Sequence, residues 1–373
     1  MTAATPTSLP LEGIRVVEFC WVWSGPMLGQ HLADLGAEVI KVEWYSRHDL
    51  YRTRGVEHLR GKLPEATRRE SSFAFASLNR NKRSFAVDMK DPEGIELVKQ
   101  LLAQSDVLLE NFTVGTMERL GLDDTVLRSI NARLVVISLS ATGQDSSIEA
   151  LRGYGLMLSA LGGFEAQLCD THGEFVGSPS LVVSDPNAAL FGVLGALAGV
   201  LYARRTNLGT TFECSQVEAV TSIVTAPPPP NHRWHEVTVA TSDGDYLAVS
   251  VPEAKASELE DMQLSTLSAA AASAAIEALG GFAAPIRPLQ DTMNSPEFAG
   301  LPTHQSCTHP VGGEQQLVSS PWLTDGERAP IRRPAPVLGA DNDYVLRAVI
   351  GLPAAEAAEA AASAALREPA NER

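Results

Sequence analysis

The sequence predicts an α/β fold: a mostly parallel sheet covered by helices on both faces. The first observation is that GIRVVEFC, PMLGQHLADLGA and EVIKVEW read as strand, helix and strand, which together form one βαβ unit. The second is that the same alternation continues to about residue 140. Alternation of this kind is typical of a parallel sheet buried between two helical layers.

The later elements follow in order. RSFAVDM is a predicted strand, DPEGIELVKQLLAQS a helix opened by Asp91-Pro92, and DVLLEN a strand. GTMERLGL and DDTVLRSINA give helical turns before the strand RLVVISLS. A long apolar helix from Pro186 to Arg205 precedes the strand GTTFECS and the helix QVEAVTSIV. Six strands are therefore expected before the chain reaches its proline-rich segment.

That segment, APPPPNHR, interrupts all periodicity, because four consecutive prolines cannot join a helix or a central strand. A smaller α+β domain is expected beyond it. HEVTVATSDGDYLAVSV reads as a hairpin, LSTLSAAAASAAIEAL as a helix, HPVGGEQQLV as a second hairpin and PAAEAAEAAASAALREP as a terminal helix. The predicted organisation is a large domain of residues 1–205 with 320–373, a linker over 206–230 that includes a helix, and a small domain over 231–319.

Composition excludes several classes of protein. The 373 residues carry a net charge of −16, which argues against a nucleic-acid partner because phosphate binding needs a positive field. Neither a targeting segment nor an uninterrupted membrane span is recognisable, so we expect a cytoplasmic protein with no membrane partner. Cys20, Cys169, Cys214 and Cys307 lie far apart, and no ligand spacing indicates a metal site.

The first strand-to-helix turn, CWVWSGPMLG, lacks the three glycines of a dinucleotide-binding turn, which disfavours a nicotinamide dehydrogenase. Charge is also unevenly distributed: residues 47–83 hold ten Lys or Arg against four Asp or Glu. Two interpretations of this excess stay open, a solvated basic surface and a site for a small polyanion such as a nucleotide with several phosphates.

Asp185 stands between a strand-like run and the long apolar helix in SLVVSDPNAALFGVLGALAGVLYARR. Asp followed by Pro186 is typical of a helix start, where the carboxylate caps free N–H groups. The same carboxylate is a candidate reactive group. Taken alone, the stretch favours the cap.

Several segments, in this order, resemble the class III CoA-transferases, a family that includes formyl-CoA transferases, carnitine-CoA transferases and acyl-CoA racemases. LPLEGIRVVEF with GPMLGQHLADLGAEVIKVE resembles the opening of the family, and SLNRNKRSFAVDMKDPEG and LLENFTVGTMERLGL resemble its next two motifs. VVSDPNAALFGVLGALAGVLYARRTNLGTTFECSQVEAV and RRPAPVLGADNDYVL resemble the two that follow. Each motif alone is weak, and their shared order makes the resemblance strong.

The resemblance implies an enzyme that moves CoA from an acyl-CoA donor to a carboxylic acid through an aspartyl-CoA thioester, with Asp185 as the nucleophile. Ser24 and Gly25 match the turn whose backbone N–H groups face that nucleophile. Tyr154 stands near the active site, where racemases of the family carry a His. A phenol is a poor base at neutral pH, so an acyl-CoA racemase or isomerase is the weaker alternative.

The resemblance also implies coenzyme A as a co-substrate, with no tightly bound cofactor and no metal. Arg would give bidentate contacts to the CoA phosphates and Lys a point charge. Trp23 replaces a Gln found in relatives that handle oxalate, which indicates either a bulkier, more apolar acyl group or a tryptophan that belongs to the core. The positions that match CoA-binding residues of the family are Trp23, Asn79, Lys82, Arg83, Asn111 and Arg119.

The fold that the resemblance implies is a Rossmann-like domain plus a smaller domain, in a ring-like chain intertwined with its partner. A homodimer is therefore expected. Some members of the family work as two unlike subunits, and the glycine-rich loop that closes over the aspartate in some relatives is not recognisable here. A partner subunit, or a non-catalytic role within a hetero-oligomeric CoA-transferase, is the remaining alternative.

Overall fold

A six-stranded sheet forms the centre of the larger part of the chain in the computed structural model, which describes residues 9–169, 174–177, 182–224, 234–288, 291–292, 295–296 and 303–368. Its strands are β1 (Arg15–Phe19), β2 (Glu38–Glu43), β3 (Arg83–Ala86), β4 (Val107–Glu110), β5 (Val135–Ser140) and β6 (Thr210–Ser215). Their order is β3-β2-β1-β4-β5-β6, and all neighbouring pairs are parallel. All six strands lie in the predicted runs, so the predicted α/β fold with a parallel sheet is confirmed.

Helices cover both faces of this sheet. On one face α4 and α6 contribute Leu97, Leu101 and Leu127 to a buried apolar cluster, and on the other α1 and α8 contribute Leu28 and Ala196. The helices are α1 (Ser24–Asp34), α2 (Glu65–Arg68), α3 (Phe73–Asn79), α4 (Pro92–Ala103), α5 (Thr116–Arg119), α6 (Asp124–Ile130), α7 (Gly155–Leu161), α8 (Ser184–Thr206) and α9 (Gln216–Thr221), with 3-10 turns at Leu50–Arg52, Glu57–Leu59 and Glu165–Gln167.

Helix α8 lies unusually close to its neighbours because small residues line its buried face. A Cβ added at Gly192 would lie 2.2 Å from Leu28 Cδ1, and one added at Gly199 would lie 2.4 Å from Val135 Cγ1. Glycine permits α8 to approach α1 at Gly192 and β5 at Gly199 without displacing either neighbour. By length and apolar composition α8 also resembles a membrane span, a test that the core helix of a soluble protein passes equally well.

The smaller unit comprises residues 225–303 and has its own core. Its antiparallel sheet has the order β7 (Trp234–Ala240), β8 (Tyr246–Pro252), β9 (Phe282–Pro285), and its helices are α10 (Ala256–Asp261) and α11 (Ala269–Ala278), with 3-10 turns at Glu253–Lys255 and Leu264–Thr266. Val249 and Ile276 pack together in this core. The predicted hairpin and the predicted Ala-rich helix are both confirmed.

After the smaller unit the chain returns to the larger one. It forms the hairpin β10 (His304–His309) and β11 (Gly313–Val318), the short pair β12 (Leu323–Thr324) and β13 (Glu327–Arg328), and the helices α12 (Asn342–Tyr344) and α13 (Ala354–Ala362), with a π-helical turn at Val345–Ile350 between them. Asn342 fastens this return to the sheet, since its side chain accepts a hydrogen bond from Ala86 N and donates one to Ala86 O.

The domain boundaries need correction. Residues 1–224 with 304–373 form the larger unit, whereas the sequence predicted a linker from 206 and a small domain up to 319. Part of the predicted linker is ordered into β6 and α9, because Thr210–Ser215 pairs with β5 along its whole length. The hairpin at 304–318 belongs to the larger unit. The proline segment itself lies outside the described residues.

Candidate active site

A cavity of about 750 Å³ opens at the carboxyl ends of the parallel strands. Every lining residue belongs to the larger unit, and each strand contributes through the loop or helix that follows it. Trp21 follows β1, Asn111 follows β4 and Gln216 follows β6. In open α/β sheets, ligands bind at this edge, in the crevice where the strand order reverses. The cavity is therefore the candidate active site.

Asp185 faces this cavity as the second residue of α8 and is only 8% exposed. The helix cap is Val183, which makes no side-chain capping bond, so the cap interpretation does not describe this carboxylate. Burial raises the pKa of Asp185 to about 6, although hydrogen bonds from the backbone N–H groups of Ser24 and of Asp185 itself act in the opposite direction. The result is a desolvated carboxyl group held by backbone donors.

Gly155 provides the space for this carboxylate. A Cβ at position 155 would lie 2.0 Å from Asp185 Oδ2 and 2.3 Å from Val182 Cγ1, so any larger side chain would displace the acid. The Ser184 hydroxyl donates to the Gly155 carbonyl at 2.8 Å and ties the start of α8 to the start of α7. The sequence analysis did not identify Gly155, although it directly follows Tyr154 in the matched segment.

The turn after β1 presents Ser24 to Asp185. Val22 adopts φ +74° in this turn, a conformation that costs a β-branched residue about 1–3 kcal/mol. Its N–H donates to Asp49 Oδ1 at 2.9 Å, and the Asn111 amide both accepts from Trp21 N and donates to Trp21 O. These bonds hold the turn at the switch point of the sheet.

Gly25 and Tyr154 lie at the site for different reasons. A Cβ at Gly25 would lie 2.4 Å from Cys20 Cβ and 3.1 Å from Asn111 Cγ, so this glycine allows α1 to begin close to the end of β4. Tyr154 occupies the cap position of α7, lines the cavity and is 68% exposed. Its hydroxyl is therefore accessible from the cavity side.

Four of the predicted CoA-binding residues need correction, because they do not line the cavity. Lys82 is fully buried, and its ammonium contacts Glu18 Oε2 at 2.7 Å, Pro26 O at 2.8 Å and Asn79 Oδ1 at 2.9 Å. An ammonium has three protons, so none remains for a phosphate. Asn79 belongs to the same network through its Oδ1, and its side-chain amide also donates to Phe75 O.

Arg83 and Trp23 are the other two predicted CoA-binding residues that do not line the cavity. The Arg83 guanidinium forms ion pairs with Glu38 at 3.0 Å and Asp341 at 2.9 Å and lies 3.7 Å from the Tyr344 ring, so it joins the sheet to the returning chain. Trp23 packs against the buried cluster around Phe75. The aromatic side chains that do line the cavity include Trp21 and Phe112, which pack edge to face with ring centroids 5.9 Å apart.

Cations line the cavity as well, and the sequence identified one of them. Arg119, which was predicted, donates to Thr116 Oγ1. Across the described ranges, none of the lining cations takes part in a salt bridge within 4.0 Å, whereas most of the basic residues between 52 and 83 do. Most of the basic residues of this segment therefore form ion pairs within the fold. The lining cations are Arg47, Lys90, Arg119 and Arg152; Glu43, Asp88, Glu149 and Asp185 are the lining carboxylates.

Comparison with known proteins addresses the family. A family model described as CoA-transferase family III matches residues 11–252. Mouse succinyl-CoA:glutarate CoA-transferase is 34% identical over 218 residues, which cover 57% of this chain and 48% of the mouse protein. The beta subunit of succinyl-CoA–L-malate CoA-transferase of Chloroflexus aurantiacus is 33% identical over 216 residues, or 58% and 51% of the two chains. The chain spans about half the length of the curated relatives it matches.

Solved structures agree at the level of fold. A CAIB/BAIF family protein from Brucella suis superposes with a TM-score of 0.74 at 24% identity, covering 92% of this chain and 100% of that one. The family model, for its part, spans more than half of the sequence. The chain therefore belongs to CoA-transferase family III.

Proposed function

We propose that this chain transfers CoA from an acyl-CoA donor to a carboxylic acid through an aspartyl-CoA thioester on Asp185, the reaction type of a class III CoA-transferase (EC 2.8.3). The observation that carries the proposal is a buried carboxylate that faces the cavity and meets the backbone N–H of Ser24. A carboxylate with few solvent contacts is a better nucleophile than one in water, because less hydration must be removed before attack.

The steps balance without a metal or a redox group. A carboxylate oxygen of Asp185 attacks the thioester carbonyl, the C–S bond breaks, and CoA thiolate leaves behind a mixed anhydride. The thiolate attacks the aspartyl carbonyl of that anhydride, the C–O bond breaks, and the donor acid departs as a carboxylate. The aspartyl-CoA thioester remains. The acceptor acid then repeats the two steps in reverse order and regenerates Asp185.

A backbone donor supports the charge that develops when the aspartyl carbonyl is attacked. The N–H of Ser24 bonds to the carboxylate in the resting protein, and it can stay on the Asp185 oxygen that becomes the oxyanion when CoA thiolate attacks the anhydride. With a pKa of about 6, roughly nine-tenths of Asp185 is ionised at pH 7. The group is therefore in its nucleophilic form at neutral pH.

Coenzyme A would bind as a co-substrate along the same cavity. Its phosphates need cations that are not already neutralised, and Lys90 and Arg119 meet that requirement. Asn111 supports the turn after β1 rather than a phosphate.

The acids exchanged are proposed to be small dicarboxylic acids. The relatives are named for succinyl-CoA with glutarate or L-malate. Arg47 and Arg152, which line the cavity, offer a partner for a second carboxylate. The bulky apolar acyl group expected from Trp23 has no support, since Trp23 packs against the cluster around Phe75 and is not one of the residues that line the cavity.

We also propose that the protein acts in the cytoplasm as an intertwined homodimer. Leu190, Leu194 and Leu201 are at least half exposed on one side of α8, an apolar stripe that a second chain would cover. Two relatives are named as alpha and beta subunits, which makes an unlike partner the alternative. The mass of the purified protein in solution, measured by light scattering, distinguishes a monomer from a dimer, and co-purification identifies an unlike partner.

Trapping of the intermediate tests the chemistry. The purified chain is incubated with succinyl-CoA and quenched with hydroxylamine or borohydride, and the mass of the peptide containing Asp185 is measured. Modification at Asp185 is expected. Asp185→Asn should remain unmodified, and Asp91→Asn, at the start of another helix, should behave as the parent protein. Exchange of an α-proton without modification would instead indicate the racemase, and neither signal would indicate a non-catalytic subunit.

A further inference from the structure

Gln216 is a second buried polar residue that faces the cavity of Asp185, and the proposed chemistry assigns it no role. It is the first residue of α9, directly after β6, and is 8% exposed. The N–H of Val217 donates to Ala141 O at 3.1 Å, and the Ser215 hydroxyl accepts from Glu218 N at 3.2 Å. These two hydrogen bonds fix the backbone on both sides of Gln216, so the direction in which its side chain leaves α9 is set by the fold.

The side-chain oxygen of Gln216 has no hydrogen-bond partner among the residues that the structure describes. A buried amide oxygen without a partner loses the hydrogen bonds it would make to water. Leu139 and Ala141, neighbours in the cavity lining, offer no side-chain donor, and the hydroxyl of Ser140 between them accepts from Gly143 N and makes no hydrogen bond to this oxygen. A ligand that enters the cavity is the group that can supply the missing bond.

We propose that Gln216 binds a hydrogen-bond donor of the substrate and so contributes to substrate selection; the inference rests on the proposed function. The unpartnered atom is an acceptor, so carboxylates and phosphates do not satisfy it. An N–H or O–H does. Two parts of the proposed substrates carry one: the amides of the pantetheine arm of CoA, and a hydroxyl group on the acid that is exchanged.

The test replaces the amide by an apolar side chain of similar length. Gln216→Met is compared with Gln104→Met, an exposed glutamine at the end of α4. Both variants are assayed with succinyl-CoA as donor and with glutarate or 2-hydroxyglutarate as acceptor, two acids that differ only in a hydroxyl. Gln216→Asn, which keeps the amide but withdraws it by one methylene, is a second variant that is expected to fold.

If Gln216 binds a hydroxyl of the acid, Gln216→Met lowers kcat/KM for 2-hydroxyglutarate about 10-fold and leaves glutarate unchanged. If it binds the pantetheine arm, both acceptors lose equally, the KM for succinyl-CoA rises about 10-fold, and the Kd for free CoA, measured by calorimetry, rises with it. Either pattern supports the inference. Kinetic constants and a CoA affinity that match those of Gln104→Met in both Gln216 variants overturn it, as does a fall in kcat alone.

Failure of the proposed function would look different. If the parent protein transfers no CoA to either acid, the proposed function is wrong, whereas the calorimetric comparison still judges Gln216. In that case CoA and 2-hydroxyglutarate are each titrated into the parent protein and into Gln216→Met, and equal affinities of the two proteins for both ligands overturn the inference as well.

Discussion

Two kinds of buried charge occur in the larger unit, and they differ in one respect. Glu18, Lys41, Asp49 and Lys82 are fully buried and linked by ion pairs of 2.7–3.0 Å. Asp185 is almost as buried, yet among the residues that the structure describes only backbone N–H groups donate to its carboxylate. Burial alone therefore does not distinguish a structural charge from a reactive one. The presence of a counterion does.

The pKa values express the same difference at Lys41 and Glu43, whereas burial lowers the pKa of Lys82 to about 8 although Glu18 acts in the opposite direction. Burial lowers the pKa of Lys41, but the carboxylates of Glu18, Asp49 and Glu43 outweigh it and raise the pKa above its usual range. Burial raises the pKa of Glu43, but Arg52 outweighs it and brings the pKa to about 2. At Asp185 burial prevails, and the pKa rises to about 6. A buried carboxylate that no counterion neutralises keeps its raised pKa, and groups with such shifted pKa values cluster at functional sites.

The largest expected effect follows from removing the carboxylate that lacks a counterion. Asp185→Asn should reduce the rate of CoA transfer on the order of 10⁴-fold or more, because the amide cannot form the anhydride. The melting temperature should stay the same or rise, since no ion pair is lost. Steady-state assays and thermal unfolding measure the two quantities. An Asn variant that retains a tenth of the parent activity contradicts the assignment.

The opposite behaviour is expected in the ion-paired set. Glu18→Gln leaves Lys41 and Lys82 without their shared carboxylate, and we expect a loss of about 3–5 kcal/mol in the free energy of unfolding. Urea titration followed by circular dichroism measures it. Glu93→Gln, at an exposed position on α4, is the control and should change little. A Glu18→Gln protein as stable as the control would remove the contrast between the two sets.

The pH dependence of stability sharpens the comparison. The pKa of Asp185 is higher in the folded protein than its ordinary value of 3.8, so the folded state binds the extra proton between about pH 4 and 6. As the pH rises through that window Asp185 loses this proton, and the free energy of unfolding falls by on the order of 3 kcal/mol in all. The stability advantage of Asp185→Asn over the parent should grow from pH 4 to pH 7, measured by urea unfolding. A difference that is constant with pH would contradict it.

The smallest effect concerns the cations. Arg119→Met should raise the KM for acyl-CoA about 10-fold with little change in stability, because Arg119 lines the cavity and forms no ion pair among the described residues. Arg347→Met, at a solvent-exposed position, serves as the matched control. Equal KM values in the two variants would show that Arg119 does not reach the phosphates.

The existence of each strand could be predicted from the sequence, but which strands lie next to each other in the sheet could not. Each of the six strands is a local run of β-branched and apolar residues, as in VVISLS at the fifth, so its existence could be predicted. Their spatial order depends on crossovers between distant segments and did not follow from periodicity. The end of the larger unit at residue 224 depends on the pairing of β6 with β5, which is equally non-local.

The same limit applies to the site. Asp185, Ser24, Tyr154, Asn111 and Arg119 were predicted, and the fold brings them to one cavity or its wall. Each of these residues lies in a short motif, and a short motif can be recognised from the sequence alone.

Lys82 was assigned to a phosphate because a sequence displays charge and not the partner of a charge. Gly155 and Gln216 were missed because their significance is spatial. The one makes room for a carboxylate 30 residues later, and the other leaves an amide oxygen without a partner.

The glycine-lined face of α8 has a consequence for how the proposed reaction would proceed. Gly192 packs against Leu28 of α1 and Gly199 against Val135 of β5, and this close packing holds the helix that carries Asp185 in position against its neighbours. The proposed reaction nevertheless needs two successive attacks at different carbonyl carbons, so reacting atoms must change places. In that scheme the moving partner is the flexible arm of CoA that carries the sulfur, while the carboxylate stays in position.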